Sequence, residues 1–449
     1  MFGPRLFLSA AVVAQCVVAA ARAQAPDPRI QAIVSAASAR RIEADIRRLV
    51  AFGTRHTLSD TVSATRGIGA ARRWIHSEFQ RISRECGGCL EVRYVGDMVT
   101  NPPRIPVPAH VVSVIAIQRG TTDPNRVLFV SGHFDSRNSD PMDAVGDAPG
   151  ANDDASGTAV VLEAARVLSR HRFNATIVYA ALAGEEQGLN GGQIVARMAR
   201  DSGWQVQGVL NNDIVGNTRG MDGISEDTTV RVFSDGTPPT ETDQERARRR
   251  LTGGEVDGIS RQLARYVDRI ADTYLRGFNV WMIYRLDRFG RGGDHRAFAD
   301  LGFPAVRISE THEHYDRQHQ NVRVEAGRFY GDVPDSVNFG YVARVAALNA
   351  ASLASLAWAP GPPRTVRISG AVQPAAILTW EPPSDSGNVA GYRVYWRRTD
   401  SPTWDHSELL GAEARRYVAT GRVIDNWFFG VAAVGREGSE STVVFPVDR

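Results

Sequence analysis

Between about residue 110 and residue 356, short apolar runs of β type alternate with segments of helical period, and this alternation leaves few folds open. Residues 111–117, 126–130, 176–182, 206–210, 230–233, 280–284 and 305–308 read as strands. Residues 158–168, 188–200, 255–275 and 335–356 read as helices, with apolar side chains recurring every three to four positions. Strands alternating with helices predict an α/β domain: a mostly parallel mixed sheet sandwiched by helices. Residues 24–95 are instead mostly helical in period, most clearly over 39–52 and 67–82, and residues 221–255 read as a loop-rich insertion.

Four of the strand-type runs end next to groups able to hold a cation. His133 follows the run ending at Val130, Glu185 and Glu186 follow Leu182, and Asp213 follows Leu210. A His-rich stretch with His312, His314 and His319 follows Ile308. Asp153 and Asp154 precede the helix over 158–168. Taken singly, each is ordinary. Asp153 and Asp154 suit a helix N-cap, Glu185 and Glu186 suit a first helical turn, Asp213 suits a turn, and His133 suits a loop. Taken together, they lie where open α/β sheets bind ligands, beyond the carboxyl ends of strands. Mixed His and carboxylate donors suit zinc-like divalent ions. Two ions about 3.5–4 Å apart need one shared carboxylate and roughly two further ligands each.

Composition narrows the field. A chain of 449 residues with 43% hydrophobic and 23% charged residues suits a multidomain globular protein with ample core. The formal charge of +2 includes two Arg in residues 1–23, which carry no acid, so nothing electrostatic points to nucleic acid or anionic lipid. The chain has no lysine, which excludes a P-loop lysine and a Schiff-base lysine. Residues 1–23 read as a signal peptide: Arg5, an apolar stretch over 6–21 too short to span comfortably, and Ala21-Arg22-Ala23 as the cleavage site. An exported protein without stable membrane insertion is expected, in the periplasm or outside the cell. Once Cys16 leaves with that segment, Cys86 and Cys89 remain, and an oxidising compartment favours a local disulfide between them.

Residues 359–363, Ala-Pro-Gly-Pro-Pro, read as a linker. From 364 to 449 the pattern is all-β, and the spacing of turns suits a β-sandwich. Trp380, Tyr392-x-Val394-Tyr395 and Phe429-Gly430-Val431 resemble the pattern of a fibronectin type III domain. Docking on the preceding domain, contact with a polymer or protein, and a spacer role all stay open for it.

Four motifs carry a more specific resemblance: Gly132-His133-x-Asp135-Ser136, Gly150-Ala151-Asn152-Asp153-Asp154-Ala155-Ser156-Gly157, Gly184-Glu185-Glu186-x-Gly188-Leu189 and Asn212-Asp213-x-Val215-Gly216. Residues 24–358, and most closely about 110–355, resemble the M28 family of zinc peptidases, including its bacterial leucyl-type aminopeptidases. The resemblance implies a zinc-peptidase/phosphorylase-like fold and two Zn²⁺ ions, other divalent metals being alternatives. It implies that Asp153 bridges the ions, that His133 and Asp213 complete one site, and that Glu186 with a downstream His completes the other. Glu185 is then the general base for a metal-bridging hydroxide. Asp135, two residues past His133, is expected to accept the second imidazole N–H. His319 is the first choice for the last ligand, ahead of His314 and His312. Asp294 and His295, in Gly293-Asp294-His295, resemble a family Ser-Asp-His motif that lines the site. Gly191-Gly192 stands where the family often has Gly-Ser, a change expected to affect packing only.

The expected activity is hydrolysis of peptide or protein substrates, with release of N-terminal residues. Glutaminyl cyclisation and carboxypeptidase action are alternatives on the same fold, and a catalytically silent adhesion protein is the non-enzymatic one. No G-x-S-x-G elbow supports a serine hydrolase.

Overall fold

The computed structural model describes residues 26–448, so the segment expected to act as a signal lies outside the described residues, as does Cys16. The chain opens with three helices, α1 (Pro28–Ala36), α2 (Ala39–Val50) and α3 (Gly67–Glu85), followed by a hairpin of β1 (Glu91–Asn101) and β2 (Ile105–Gln118). The alternating region follows: β3 (Asp123–His133), α4 (Ala155–Leu168), β4 (Ala175–Leu182), α5 (Asn190–Asp201), β5 (Gln205–Asn212) and β6 (Thr229–Ser234). It continues through α6 (Asp243–Thr252), α7 (Ile259–Tyr274), β7 (Asn279–Ile283), α8 (His295–Ala299), β8 (Ala305–Glu310), the short pair β9 (Arg323–Glu325) and β10 (Arg328–Tyr330), and α9 (Phe339–Trp358).

These strands form an eight-stranded sheet in the order β1-β2-β4-β3-β5-β8-β6-β7. Its centre, β4-β3-β5-β8, is parallel, while β1, β2 and β4 pair antiparallel and β6 runs antiparallel to β8. Alternate residues of the central strands feed opposite faces, as a pleated strand requires. Leu128 and Val130 join the core under α1–α4, α7 and α9, whereas Val127 and Phe129 join the core under α5 and α8. Helix α9 is long and apolar enough to cross a membrane, but it is buried within that first core.

Two elements differ from the sequence reading. Strand β1 falls at the end of the stretch read as helical; it is an edge strand with mostly exposed positions, so its apolar residues do not form a core-type run. Helix α6 lies inside the stretch read as loop. It buries no residue, so it lacks an apolar stripe, and a capping box between Thr242 and Glu245 opens it. Cys86 and Cys89 form a disulfide just after α3.

The C-terminal part comprises β11 (Arg364–Ser369), β12 (Ala375–Glu381), β13 (Val389–Arg398), β14 (His406–Gly411), β15 (Arg416–Thr420), β16 (Trp427–Gly435) and β17 (Val447–Asp448). They form one sheet in the order β15-β12-β11-β17 and another in the order β14-β13-β16, sharing a core that includes Trp380, Tyr392, Val394, Phe429 and Val431. This unit docks on α7. Asp257 is buried between Arg265 (2.7 Å) and Arg397 (2.7 Å), and Arg269 reaches Glu440 at 2.6 Å. Trp404 Nε1 donates to Gln262 at 3.1 Å. Buried Arg126 donates to the carbonyls of Leu356 and Ala359, which holds the start of the linker against β3.

Candidate metal centre

The carboxyl ends of β4, β3, β5 and β8 lie side by side, and each delivers one part of the site. Strand β3 ends on His133, the turn after β4 carries Glu185 and Glu186, the residue after β5 is Asp213, and the segment after β8 runs to His319. Asp153 enters from the loop before α4. Donor atoms fall into two groups: His133, Glu185 and Asp213, and Asp153, Glu186 and His319. Asp153 spans both. Its Oδ1 lies 3.2 Å from His133 Nε2, and its Oδ2 lies 2.8 Å from His319 Nε2. Asp213 Oδ1 is 3.9 Å from His133 Nε2, and Glu186 Oε1 is 3.1 Å from His319 Nε2. His133 Nε2 and Glu186 Oε1 are buried yet make no hydrogen bond. Buried polar atoms without partners are costly, and here their free lone pairs converge with carboxylates. That donor set fits divalent zinc.

The remaining histidines lie elsewhere. His312 pairs with Asp222 at 2.6 Å, His314 belongs to neither donor group, and His295 uses Nε2 on the carbonyl of Leu286 at 2.9 Å. Asp294 lies at the start of α8, buried, with both carboxylate oxygens lacking a hydrogen-bond partner among the described residues. The missing side chain at Gly192 has a local consequence: a Cβ there would stand 2.5 Å from Asp294 Oδ1, so glycine lets that carboxylate approach α5.

Asp135 meets His133 through both its carbonyl and its carboxylate. The closest partner of His133 Nδ1 is the Asp135 backbone carbonyl at 3.1 Å, and the carboxylate lies at 3.5 Å. The carboxylate also accepts the backbone N–H groups of Glu185 (3.3 Å) and Glu186 (3.1 Å) and the hydroxyl of Thr57 (3.3 Å). It therefore fixes the turn that carries both glutamates. Asp154 caps α4 through Gly157 and also accepts the backbone N–H groups of His133 (3.0 Å) and Ile214 (3.3 Å), tying three ligand-bearing segments together. Ile214 and His319 both have left-handed backbone, at φ 58° and 52°. For a β-branched residue such as Ile214 this conformation costs about 1–3 kcal/mol. It is held by Asp154 on its N–H and by Ser309 and Glu310 on its carbonyl.

Four residues outside the motifs complete the site. Asp332 accepts the backbone N–H groups of Asn152 and Asp153, each at 2.8 Å. Buried Arg55 donates to the carbonyls of Leu49, Phe134, Pro149 and Gly150, joining α2 to two site loops. Buried Arg307 on β8 holds Asp213 Oδ1 at 2.7 Å and Asp287 at 3.3 Å. Arg137 contacts Glu186 Oε2 at 2.9 Å and His319 Nδ1 at 2.6 Å. A guanidinium only donates, so that contact makes Nδ1 the acceptor and leaves the N–H on Nε2. Ligation through Nε2 needs the opposite tautomer and requires Arg137 to release Nδ1. The only sequence signal for these residues is Arg307, a charge inside an apolar strand; Asp332, Arg55 and Arg137 sit in loops whose folding alone brings them inward.

The electrostatics follow from crowding carboxylates in a buried space. Burial, reinforced by Asp213, Glu186 and Asp294, raises the Glu185 carboxyl well above the usual range, with His133 opposing. Burial raises Asp294 to about 7, Asp135 and Asp213 adding to it. Burial also raises Asp332 to about 7, against the two N–H groups it accepts. Asp153 moves the other way: despite burial, His319 and His133 hold it well below the carboxylate norm.

A family model for peptidase family M28 matches residues 113–325. A probable zinc metalloprotease of Leptosphaeria maculans is 45% identical over 423 residues, covering 94% of this chain and 97% of its own. The chain belongs to peptidase family M28. A second probable zinc metalloprotease, from Pyrenophora teres f. teres, is 44% identical over 94% of this chain and 88% of its own length. These relatives are fungal. Among solved structures, the LapA aminopeptidase of Legionella pneumophila is similar in fold, with a TM-score of 0.53 and 21% identity over 74% of this chain and 75% of that one. As an M28 zinc metallopeptidase, the chain has its candidate metal-binding residues in the two donor groups around Asp153.

Proposed function

We propose that this M28 zinc metallopeptidase is an exported aminopeptidase that uses two zinc ions. The observation that carries the reading is the division of the Asp153 carboxylate, one oxygen toward His133 and the other toward His319. His133 and Asp213 would hold one ion, Glu186 and His319 the other, with Asp153 shared. Zinc bound there supplies a Lewis acid for the scissile carbonyl and makes a water acidic enough to lose its proton near neutral pH. Glu185 accepts that proton at its free carboxylate and passes it to the departing amine nitrogen. The Asp135 carboxylate keeps Glu185 and Glu186 in place through their backbone N–H groups. Asp294, Glu185 and Asp213 offer carboxyl oxygens able to accept hydrogen bonds from a substrate α-amine. The Cys86–Cys89 disulfide supports passage through an oxidising compartment, in keeping with the signal-like residues 1–23.

The test is hydrolysis of paired peptides with free and N-acetylated amino termini by zinc-loaded protein, followed by mass spectrometry. Loss of single N-terminal residues from free peptides only, abolished by chelator, is the expected result. Cleavage from the other end would make the chain a carboxypeptidase. Ammonia release from N-terminal Gln without chain cleavage would make it a cyclase.

A further inference from the structure

Beside the metal centre lies an open cavity of about 470 Å³ lined by Arg231, Arg285, Arg288, Arg291, Phe289 and Tyr315, with Glu313 among them. Four guanidinium groups thus face a single lining carboxylate. Glu313 is shared by Arg231 (2.8 Å), Arg288 (3.4 Å) and Arg291 (3.3 Å). Against its burial, Arg288 and Arg231 hold it at about 2, so it stays ionised at every working pH. Arg285 makes no ion pair among the described residues and lies over the exposed Phe289 ring at 5.5 Å. Tyr315 is exposed as well. Arg288 also pairs with Asp287 at 3.2 Å, which leaves Arg285 as the lining guanidinium with no ion pair among the described residues, at an exposed position of an accessible space.

The cavity adjoins the catalytic groups through short links. Gln318, next to His319, donates to Glu313 at 3.1 Å and accepts from Arg291 at 3.4 Å. Arg288 and Arg307 donate to the same carbonyl, that of Gly292, and Arg307 also holds Asp213. A peptide held at the metal centre therefore has this wall within reach of its neighbouring residues.

We infer that the arginine-lined cavity is a substrate subsite that binds a carboxylate of the peptide being cleaved, and that the enzyme favours acidic or short peptides. This rests on the peptidase reading above. Guanidinium groups pair with carboxylates through charge-assisted, often bidentate, hydrogen bonds. The exposed rings of Phe289 and Tyr315 offer apolar surface for the carbon chain bearing the carboxylate. Two sources share the chemistry, a Glu or Asp side chain and the C-terminal carboxylate of a short peptide.

The experiment compares kcat/KM for tri- to hexapeptides carrying Glu or its isostere Gln at successive positions, each with a free or an amidated C terminus. A Glu-over-Gln ratio of about tenfold or more, narrowing as NaCl rises and screening shortens the reach of charge, supports the side-chain source. An equal loss on amidation, confined to the shortest peptides, supports the C-terminal source. In the Arg285→Ala/Arg291→Ala variant, both exposed positions, the ratio falls toward one. Cleavage of all peptides at matching rates, or a ratio unmoved in that variant, overturns the subsite and leaves the peptidase reading intact. No cleavage of any peptide overturns the peptidase reading itself.

Discussion

The carboxylate of Asp332 accepts the backbone N–H of Asp153 at 2.8 Å, and with its other oxygen the N–H of Asn152. A residue 179 positions away thereby sets the direction from which the shared Asp153 carboxylate enters the metal centre. Asn at position 332 keeps one acceptor and turns the other into a donor facing an N–H group. Outer contacts of this kind are worth about 10–100-fold in metal affinity. The Asp332→Asn variant is expected to fold and to bind zinc more weakly by that factor, as read by competition with a fluorescent chelator.

In the proposed mechanism Glu185 carries the proton, although its carboxylate also lies in one donor group with His133 and Asp213. Glu185→Gln should lower kcat by about 10²–10⁴-fold, the usual range for a general acid–base group, with zinc content unchanged by elemental analysis. Full activity in this variant would remove Glu185 from the mechanism.

Much of this arrangement is legible in the sequence, because the candidate donors sit in short motifs at strand ends and strand ends are marked by apolar runs. His133, Asp153, Glu185, Glu186 and Asp213 announce themselves in that way. The sequence ranks His319 ahead of His314 and His312, and the fold, with its left-handed turn at His319, shows that this imidazole reaches Asp153. Asp332, Arg55 and Arg137 had no signal, since each acts through a long-range contact with backbone or with another loop. Sequence spacing places Asp135 near His133, but does not show that its carbonyl, at 3.1 Å, lies closer to the ring nitrogen than its carboxylate, at 3.5 Å. Helix α6 and strand β1 escaped notice because solvent-facing elements lack the apolar periodicity on which such readings depend.

The C-terminal unit is fastened to α7 by buried charge. Asp257 stands between Arg265 and Arg397, and neutralising it leaves two guanidinium groups uncompensated. Removing one partner from a buried ion pair costs about 3–5 kcal/mol. Asp257→Asn should lower the melting temperature and speed proteolysis within residues 359–363, as read by calorimetry and timed digestion.

Asp268 on α7 gives a pH-dependent test. Burial, then Asp272, lifts its carboxyl from the ordinary 3.8 to about 6. The folded state therefore prefers the protonated form. Asp268 favours folding below pH 3.8, loses that contribution as pH rises through about 6, and opposes folding above it. Asp268→Asn should raise the melting temperature at pH 7.5 and lose that advantage near pH 4, when measured by thermal denaturation across pH.

The sharing of Asp153 is tested most directly by counting zinc. Protein stripped with chelator, reloaded with zinc and freed of excess metal should contain two zinc ions per chain by inductively coupled plasma mass spectrometry. Asp153→Ala should retain at most one and lose peptide hydrolysis. A single ion in the parent protein, or two ions retained without Asp153, would contradict the account.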